Sequence, residues 1–447
     1  MIPGPRREPG HGLPGILPAV LLLYTAMFIL RPWEYKPELA FFPWERACGL
    51  LMIVVVLALG RPGNGWSRVS TTMALFLGGV VLATVLSPDV PRSWHTTQNT
   101  LKTAIFGLCL AWGILSRRDL RTFVRGWIVI AFVYQAKSLW EHLVHGRGVY
   151  RMGIWRLVGI DDTYSDPNTF AASTVLLIPF VWEMAEESRS RAWKAFLLGE
   201  LLLSVVVVLK TGSRGGLLAL IAVSTWILWR SRRHWLTVAV VTVLGALVVW
   251  FTLSAQLILR YETILHPELN RSAAASAEGR IAGLKRGLAI VERRPLAGIG
   301  PGCFTVADRY LSNLPGIPGL QAHNLLGQAL GETGLVGFVP FLLFLGTLLA
   351  RARRLASEAE DPLTAGVARA VLVSTLLLVL FGAVGHNLYR YNWFWNTGLL
   401  EAAGALTRRR PAHPRRPGRR FVFRNRPANI VTGPRRRLPS ARVRNVA

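Results

Sequence analysis

The feature that most constrains this chain is the recurrence of apolar runs near 20 residues long, separated by short polar joints. At 1.5 Å per helical residue, such a run crosses the roughly 30 Å of hydrocarbon in a bilayer. Inside that layer the backbone must satisfy its own hydrogen bonds, so an apolar run of this length reads as a helix. Twelve runs can be drawn: about 13–30, 44–60, 69–86, 98–115, 120–140, 169–185, 192–209, 215–230, 235–253, 323–350, 365–384 and 392–406. The last is short and carries Glu401. Hydrophobic residues make up 51% of the chain and charged ones 17%, with a mean hydropathy of +0.36. The expected fold is an all-α polytopic membrane protein with about 12 transmembrane helices and one long extracytoplasmic loop. Its segments are an N-terminal bundle of about nine helices over 1–253, the loop at 254–322 with short helices, about three more helices over 323–406, and a basic tail at 407–447.

Short loops on the cytoplasmic side carry an excess of Lys and Arg. Arg6 and Arg7 fall on the same side as Arg61/Arg68, Arg117/Arg118/Arg121, Arg189/Arg191/Lys194, Arg230/Arg232/Arg233, Arg351/Arg353/Arg354 and the tail. Both termini are therefore expected in the cytoplasm. The loops at 87–97, 142–168, 210–214, 254–322 and 385–391 are expected outside. That outer side should be poor in arginine. Instead it holds Arg147, Arg151, Arg156, Lys210, Arg214, Arg280, Lys285, Arg286, Arg293, Arg294 and Arg390, which topology does not explain.

A net charge of +28 would suit a nucleic-acid binder, but 14 arginines follow Leu406 in a Pro-rich tail without hydrophobic periodicity. A tail of this kind stays disordered and is drawn to anionic headgroups of bilayer lipids. No aromatic interleaving or motif supports a nucleic-acid partner. Of the three cysteines, Cys48 and Cys109 lie in apolar runs and Cys303 in the long loop, so no disulfide framework follows. The first apolar run resembles a signal peptide, yet Arg31-Pro-Trp-Glu-Tyr-Lys follows it in place of a small-residue cleavage site. It reads as a retained span.

Lys210-Thr-Gly-Ser-Arg-Gly-Gly216 joins two apolar runs with almost no room for a loop. An arginine at that depth is costly unless it is paired or faces a wet cavity, and a guanidinium suits a phosphate or pyrophosphate. A tight turn whose arginine snorkels to headgroups fits the residues equally well. Within the long loop, Arg280 to Glu292 can form an amphipathic helix with Ile281, Leu284, Leu288 and Val291 on one stripe, followed by a glycine-rich turn at 295–303. Arg280 is a second candidate anion ligand, and Lys285 and Arg286 add to the same field. His323-Asn324 opens the next apolar helix. Histidine is the usual general base near neutral pH; the alternative is a helix-entry histidine, with His323 or Asn324 acting as a cap. Glu332, nine residues on, lies half a turn out of phase and reads as a support, whereas Asn324 and Gln328 share a face. Asp166-Pro-Asn168 reads as an ordinary helix start. His386-Asn387 repeats the His-Asn pair and could line the same cavity, but a lone histidine at a helix end is usually structural. No metal site is expected, because the outer loops have no His-x-x-x-His and no clustered acidic pair. No GxxxxGK[ST] motif points to ATP.

These motifs, taken in order, resemble the bacterial O-antigen ligase and polymerase superfamily, the lipid-linked glycan ligases. The resemblance rests on Asp166-Pro-Asn-Thr-Phe-Ala171, Thr211-Gly-Ser-Arg-Gly-Gly216, Arg280 with Pro295-Leu-Ala-Gly-Ile-Gly-Pro-Gly302, and His323-Asn-Leu with Glu332-Thr-Gly334. It covers roughly residues 160–340. The Arg31-Pro-Trp-Glu-Tyr-Lys region is also similar to exosortase-associated O-glycosylation ligases. The resemblance implies a bacterial inner-membrane glycosyltransferase without nucleotide, metal or other cofactor. Its donor would be a glycan on undecaprenyl pyrophosphate at the periplasmic face, and its acceptor a hydroxyl on a lipid, glycan or protein. By position, His323 would be the base, with Arg214 and Arg280 holding the pyrophosphate. Lys210, Arg286 and Asn324 are further substrate-binding candidates, and Ser213, Asn168 and Glu332 supporting ones. Two rival readings remain: a repeat-unit polymerase of the same superfamily, and a non-catalytic transporter of lipid-linked glycan. Transporters usually carry broken helices in paired halves, a symmetry the sequence does not show.

Overall fold

The computed structural model describes residues 15–151, 153–230, 255–264 and 271–408, with scattered positions between 239 and 250. Most of the ninth apolar run, at 235–253, and the tail beyond 408 lie outside the described residues. Helices α1 (Ile16–Leu30), α2 (Trp44–Leu59), α3 (Arg68–Val85), α4 (Val90–Gly113), α5 (Arg117–Val144), α6 (Pro167–Glu187), α7 (Arg191–Lys210) and α8 (Arg214–Arg230) precede the long loop. Within that loop stand α9 (Ala255–Glu262) and α10 (Arg271–Arg293), and after it α11 (Leu325–Glu358), α12 (Pro362–Gly382) and α13 (Asn392–Arg408). The architecture is all-α in its framework, and six of these helices are long and apolar enough to cross a membrane: α1, α3, α6, α7, α11 and α12. One departure is a hairpin in the loop after α5. Strands β1 (Val149–Arg151) and β2 (Ile154–Arg156) pair antiparallel around Gly153, whose φ of 80° suits the turn.

Helix starts are set by side-chain caps. Ser116, Asp166, Ser190 and Asp361 each accept a hydrogen bond from a first-turn backbone N–H. Asp89 does the same for α4, which therefore begins at Val90, eight residues before the apolar run. The polar first turns of α4, through Arg92, Ser93 and His95, hide that start from a reading based on hydropathy.

Helix pairs meet where glycine removes the side chain. A Cβ on Gly79 of α3 would lie 2.1 Å from the Val336 carbonyl of α11, and one on Gly398 of α13 would lie 2.2 Å from the Gly107 carbonyl of α4. Such close approach is how helices associate where lipid supplies no hydrophobic drive. Helix α13 is buried along its length. Trp395 packs there on Phe106 at 4.6 Å and Tyr391 at 4.8 Å between ring centroids. Its Glu401 is matched by Arg351 at 2.9 Å and by the hydroxyls of Ser70 and Ser67. A carboxylate in the last run is thus compatible with burial, because its partners are buried with it.

The long loop packs on α11 in the same manner. On α10 the packed face is Gly283, Gly287 and Ile290, while Ile281 and Leu288 stay 59% and 44% exposed. Of the expected apolar stripe, Leu284 and Val291 are half-buried, with Leu284 against Gly327, whereas Ile281 and Leu288 face outward. Backbone approach, not side-chain interdigitation, decides which side faces the bundle. A Cβ on Gly283 would meet the Ala322 carbonyl at 1.7 Å, and one on Gly287 the Gly327 carbonyl at 2.3 Å. Helix α11 is also interrupted: Gly334 has φ 55° and ψ −160°. The chain from Pro295 to Gly300 repairs the break. Ile299 and Gly300 donate to the carbonyls of Gly331 and Glu332, and Leu335 and Val336 donate to those of Pro295 and Leu296, at 2.8–3.0 Å.

Gly283→Ala is expected to lower stability by about 1–3 kcal/mol, because its Cβ meets fixed backbone. Gly279→Ala, one turn earlier with nothing within 4 Å of its Cβ, should be neutral or stabilising by up to about 1 kcal/mol through helix propensity. Thermal unfolding of the detergent-solubilised proteins measures both. Equal effects would contradict the docking face.

Candidate active site

Ala322 is fully buried against Gly283, and Asn324 caps α11 by accepting from the Gly327 N–H at 3.0 Å. His323, between these fixed neighbours, takes φ 45°, a left-handed conformation that costs a non-glycine residue on the order of 1–3 kcal/mol. The turn throws its imidazole outward, where it is exposed. The ring meets that of His386, from the loop between α12 and α13, with centroids 5.3 Å apart at 68°. The two His-Asn pairs, 63 residues apart in sequence, are thus adjacent in space. Asn324 is used as the cap, so its side chain holds the helix start.

Arg280 lies one turn before Gly283, and the glycine docking brings it beside His323. Its charge acts on both His323 and Arg214. Among the described residues, no hydrogen-bond or ion-pair partner holds this half-buried guanidinium. Arg214 opens α8 and donates to the Thr263 hydroxyl at 3.2 Å. Ser213 caps the same helix by accepting from the Gly216 N–H at 3.1 Å. The turn before it is held from two further elements. Arg260 of α9 donates to the Gly212 carbonyl, and Arg156 of β2 to the Thr211 carbonyl, each at 2.7 Å. Asn168 accepts from Arg156 at 3.1 Å, which ties the start of α6 to this turn.

Most of the outer arginines turn out to be such staples onto backbone carbonyls. Arg147 reaches Ile160, Arg293 reaches Ser312, Arg294 reaches Leu86 and Arg390 reaches Thr169. Arg286 belongs with them. It is 3% exposed, donates to Pro315, pairs with Asp308 and lies against the Phe304 ring, so it ties the loop together instead of facing a substrate. Lys210, at the end of α7, is 8% exposed. Its charge is felt by His142, and its carbonyl accepts from the Leu157 N–H.

Glu332 is buried and accepts from the N–H groups of Gly302 at 3.0 Å and Phe304 at 3.3 Å. Gln328, on the same helix, accepts from the Leu388 N–H at 3.1 Å. These two side chains fasten the glycine-rich turn and the 385–391 loop to α11. Between them opens a cavity of about 270 Å³ lined by Gln321, Gln328, Glu332, His386, Tyr389 and Arg390. His386 and Arg390 were not among the site residues expected from sequence. The signal was present in the repeated His-Asn pair and in an arginine within a loop that the charge bias leads one to expect outside.

Both histidines keep exposed edges, yet the protein around them disfavours the imidazolium. His323 is lowered from its ordinary value first by burial and then by Arg280, with Asp166 opposing. His386 is lowered further, to about 4, by burial, His323 and Arg390. Burial likewise lowers Arg280. At neutral pH both rings are therefore neutral, and the positive charge resides on the arginines. Asp166, which caps α6 through the Thr169 N–H at 2.9 Å and pairs with Arg151 at 3.6 Å, supplies the opposing negative field.

An NMR titration of ring-labelled protein should place the His323 midpoint below the ordinary 6.5, with His386 lower still. Arg280→Ala removes one of the charges holding His323 down, so its midpoint should rise toward 6.5. An unchanged midpoint would separate Arg280 from His323.

Residues 200–342 match the O-antigen ligase family model. The matched stretch runs from α7 through the first half of α11 and contains Arg214, Arg280, His323 and Glu332. No curated protein matches the chain. Over the segment that carries this cluster, the chain is similar to the O-antigen ligase family.

Proposed function

We propose that the protein moves a glycan from undecaprenyl pyrophosphate to an acceptor hydroxyl at the periplasmic face of the bacterial inner membrane. The observation that carries this reading is Arg280, without a partner among the described residues, beside a neutral His323 and within the field of Arg214. A neutral imidazole can take the proton of the acceptor oxygen as that oxygen attacks the anomeric carbon. Two guanidinium groups can stabilise the charge that builds on the departing pyrophosphate, whose bond to the sugar supplies the driving force. The chemistry as drawn needs neither nucleotide nor metal, and direct attack inverts the anomeric configuration. Twelve crossings with both termini in the cytoplasm put the long loop and His323 on the side where that donor is presented. Lys210 contributes at most long-range charge in this scheme. A repeat-unit polymerase would use the same steps with a glycan as acceptor.

The feature that would favour transport is the interruption of α11 at Gly334. Broken helices in transporters offer free backbone groups to a cargo. Here the groups freed at the break are bonded by residues 295–300. A neutral imidazole beside a cation that has no partner among the described residues is also superfluous for transport.

In a deletion strain, His323→Ala and Arg214→Ala proteins should insert normally but leave the acceptor bare and let lipid-linked glycan accumulate. The turnover of His323→Ala should fall by about 10²–10⁴-fold, the usual contribution of a general base. Wild-type turnover by His323→Ala would end the base assignment. The anomeric configuration of the product, compared with that of the lipid donor, should be inverted; retention would rule out direct attack.

A further inference from the structure

We infer that the cavity beside His386 is a subsite for one sugar ring of the acceptor, an assignment that rests on the glycan-transfer reading of the site. The first support is position. His323 and His386 stand with ring centroids 5.3 Å apart, His386 and Arg390 line the cavity, and Arg280 and Arg214 lie on the other side of His323 within each other's field. The cavity lies at the His386–Arg390 end, and neither Arg214 nor Arg280 lines it. If the pyrophosphate lies with Arg214 and Arg280, the group entering from the other side of His323 is the one that gives up its proton.

The second support is chemistry. Ligand pockets for drug-sized molecules are mainly apolar and run to roughly 300–1,000 Å³. This one is about 270 Å³ and is lined mostly by polar side chains, which suits neither a lipid tail nor an extended oligosaccharide. The Gln321 carboxamide and the His386 imidazole are exposed and, among the described residues, have no hydrogen-bond partner. Both can donate and accept, as vicinal hydroxyls require. Arg390 is anchored by one nitrogen to Thr169 and Ser173 while it lines the cavity wall. Gln328 and Glu332 lie at the α11 side, held by backbone N–H groups, so the wall is rigid before a ligand arrives. A small, preformed cavity with mixed donors and acceptors fits one pyranose. An acceptor recognised there presents a sugar next to its reacting hydroxyl, in contrast to a bare serine, threonine or lipid alcohol.

The test uses the full chain in nanodiscs, with methyl glycosides of a hexose, a 2-acetamido hexose and a hexuronic acid followed by saturation-transfer NMR. Inorganic pyrophosphate, followed by calorimetry, reports on the arginine end. At least one glycoside should bind saturably. Gln321→Trp, which fills the cavity from an exposed position, should weaken that binding by about tenfold or more and leave pyrophosphate binding within about twofold. Arg280→Ala should do the reverse. No saturable glycoside binding to the wild-type protein would overturn the proposal, as would binding that survives Gln321→Trp. Glycoside binding lost in Gln321→Trp, together with pyrophosphate binding untouched by Arg280→Ala, would support the cavity and sink the pyrophosphate assignment instead.

Discussion

The carbonyl of Ala322 rests against the bare Cα of Gly283, and the rest of the site depends on that contact. It fixes the distance between a helix of the outer loop and the chain entering α11. His323, the next residue, takes a left-handed turn, and its ring is exposed. Arg280 precedes the contact by three residues, so whatever holds Gly283 in place holds the cation next to the histidine. Glycine is required because any Cβ would meet backbone, which cannot swing aside as a side chain can.

A helix break usually exposes polar backbone, which hydrocarbon does not tolerate. At Gly334 the break is closed by a strand-like pairing with the glycine-rich turn. The same turn offers the N–H groups of Gly302 and Phe304 to Glu332. One segment therefore repairs the helix, holds a buried carboxylate and forms a wall of the cavity. The glycines at 298, 300 and 302 all have positive φ, which lets ten residues do this without leaving the surface of α11.

Apolar run length made most of the helical framework legible, because it reflects a constraint on every residue within a span. Arginine in loops expected to be poor in it drew attention to the segments that meet around His323, but it could not separate the arginines that staple backbone from the one without a partner among the described residues. Arg286 and Arg280 look alike in sequence; one is locked to Asp308 and Pro315, and the other faces His323. Which role each takes depends on the angle between α10 and α11, and that angle is set by glycines that a hydropathy stripe passes over. His386 stayed ambiguous because its partner lies 63 residues upstream and no local pattern links them. Lys210 shares a turn with Arg214, and its charge acts on His142.

The arginine staples have a further consequence for how the outer surface responds to its surroundings. Arg147, Arg156, Arg260, Arg293, Arg294 and Arg390 donate to carbonyl oxygens, which are dipoles and not ions. Mobile ions screen charge–charge attraction over about 8–10 Å at moderate ionic strength, but they compete poorly with a short directional hydrogen bond. A scaffold stapled in this way keeps its shape as ionic strength changes, while the half-buried Arg280, which has no such staple among the described residues, stays sensitive to it.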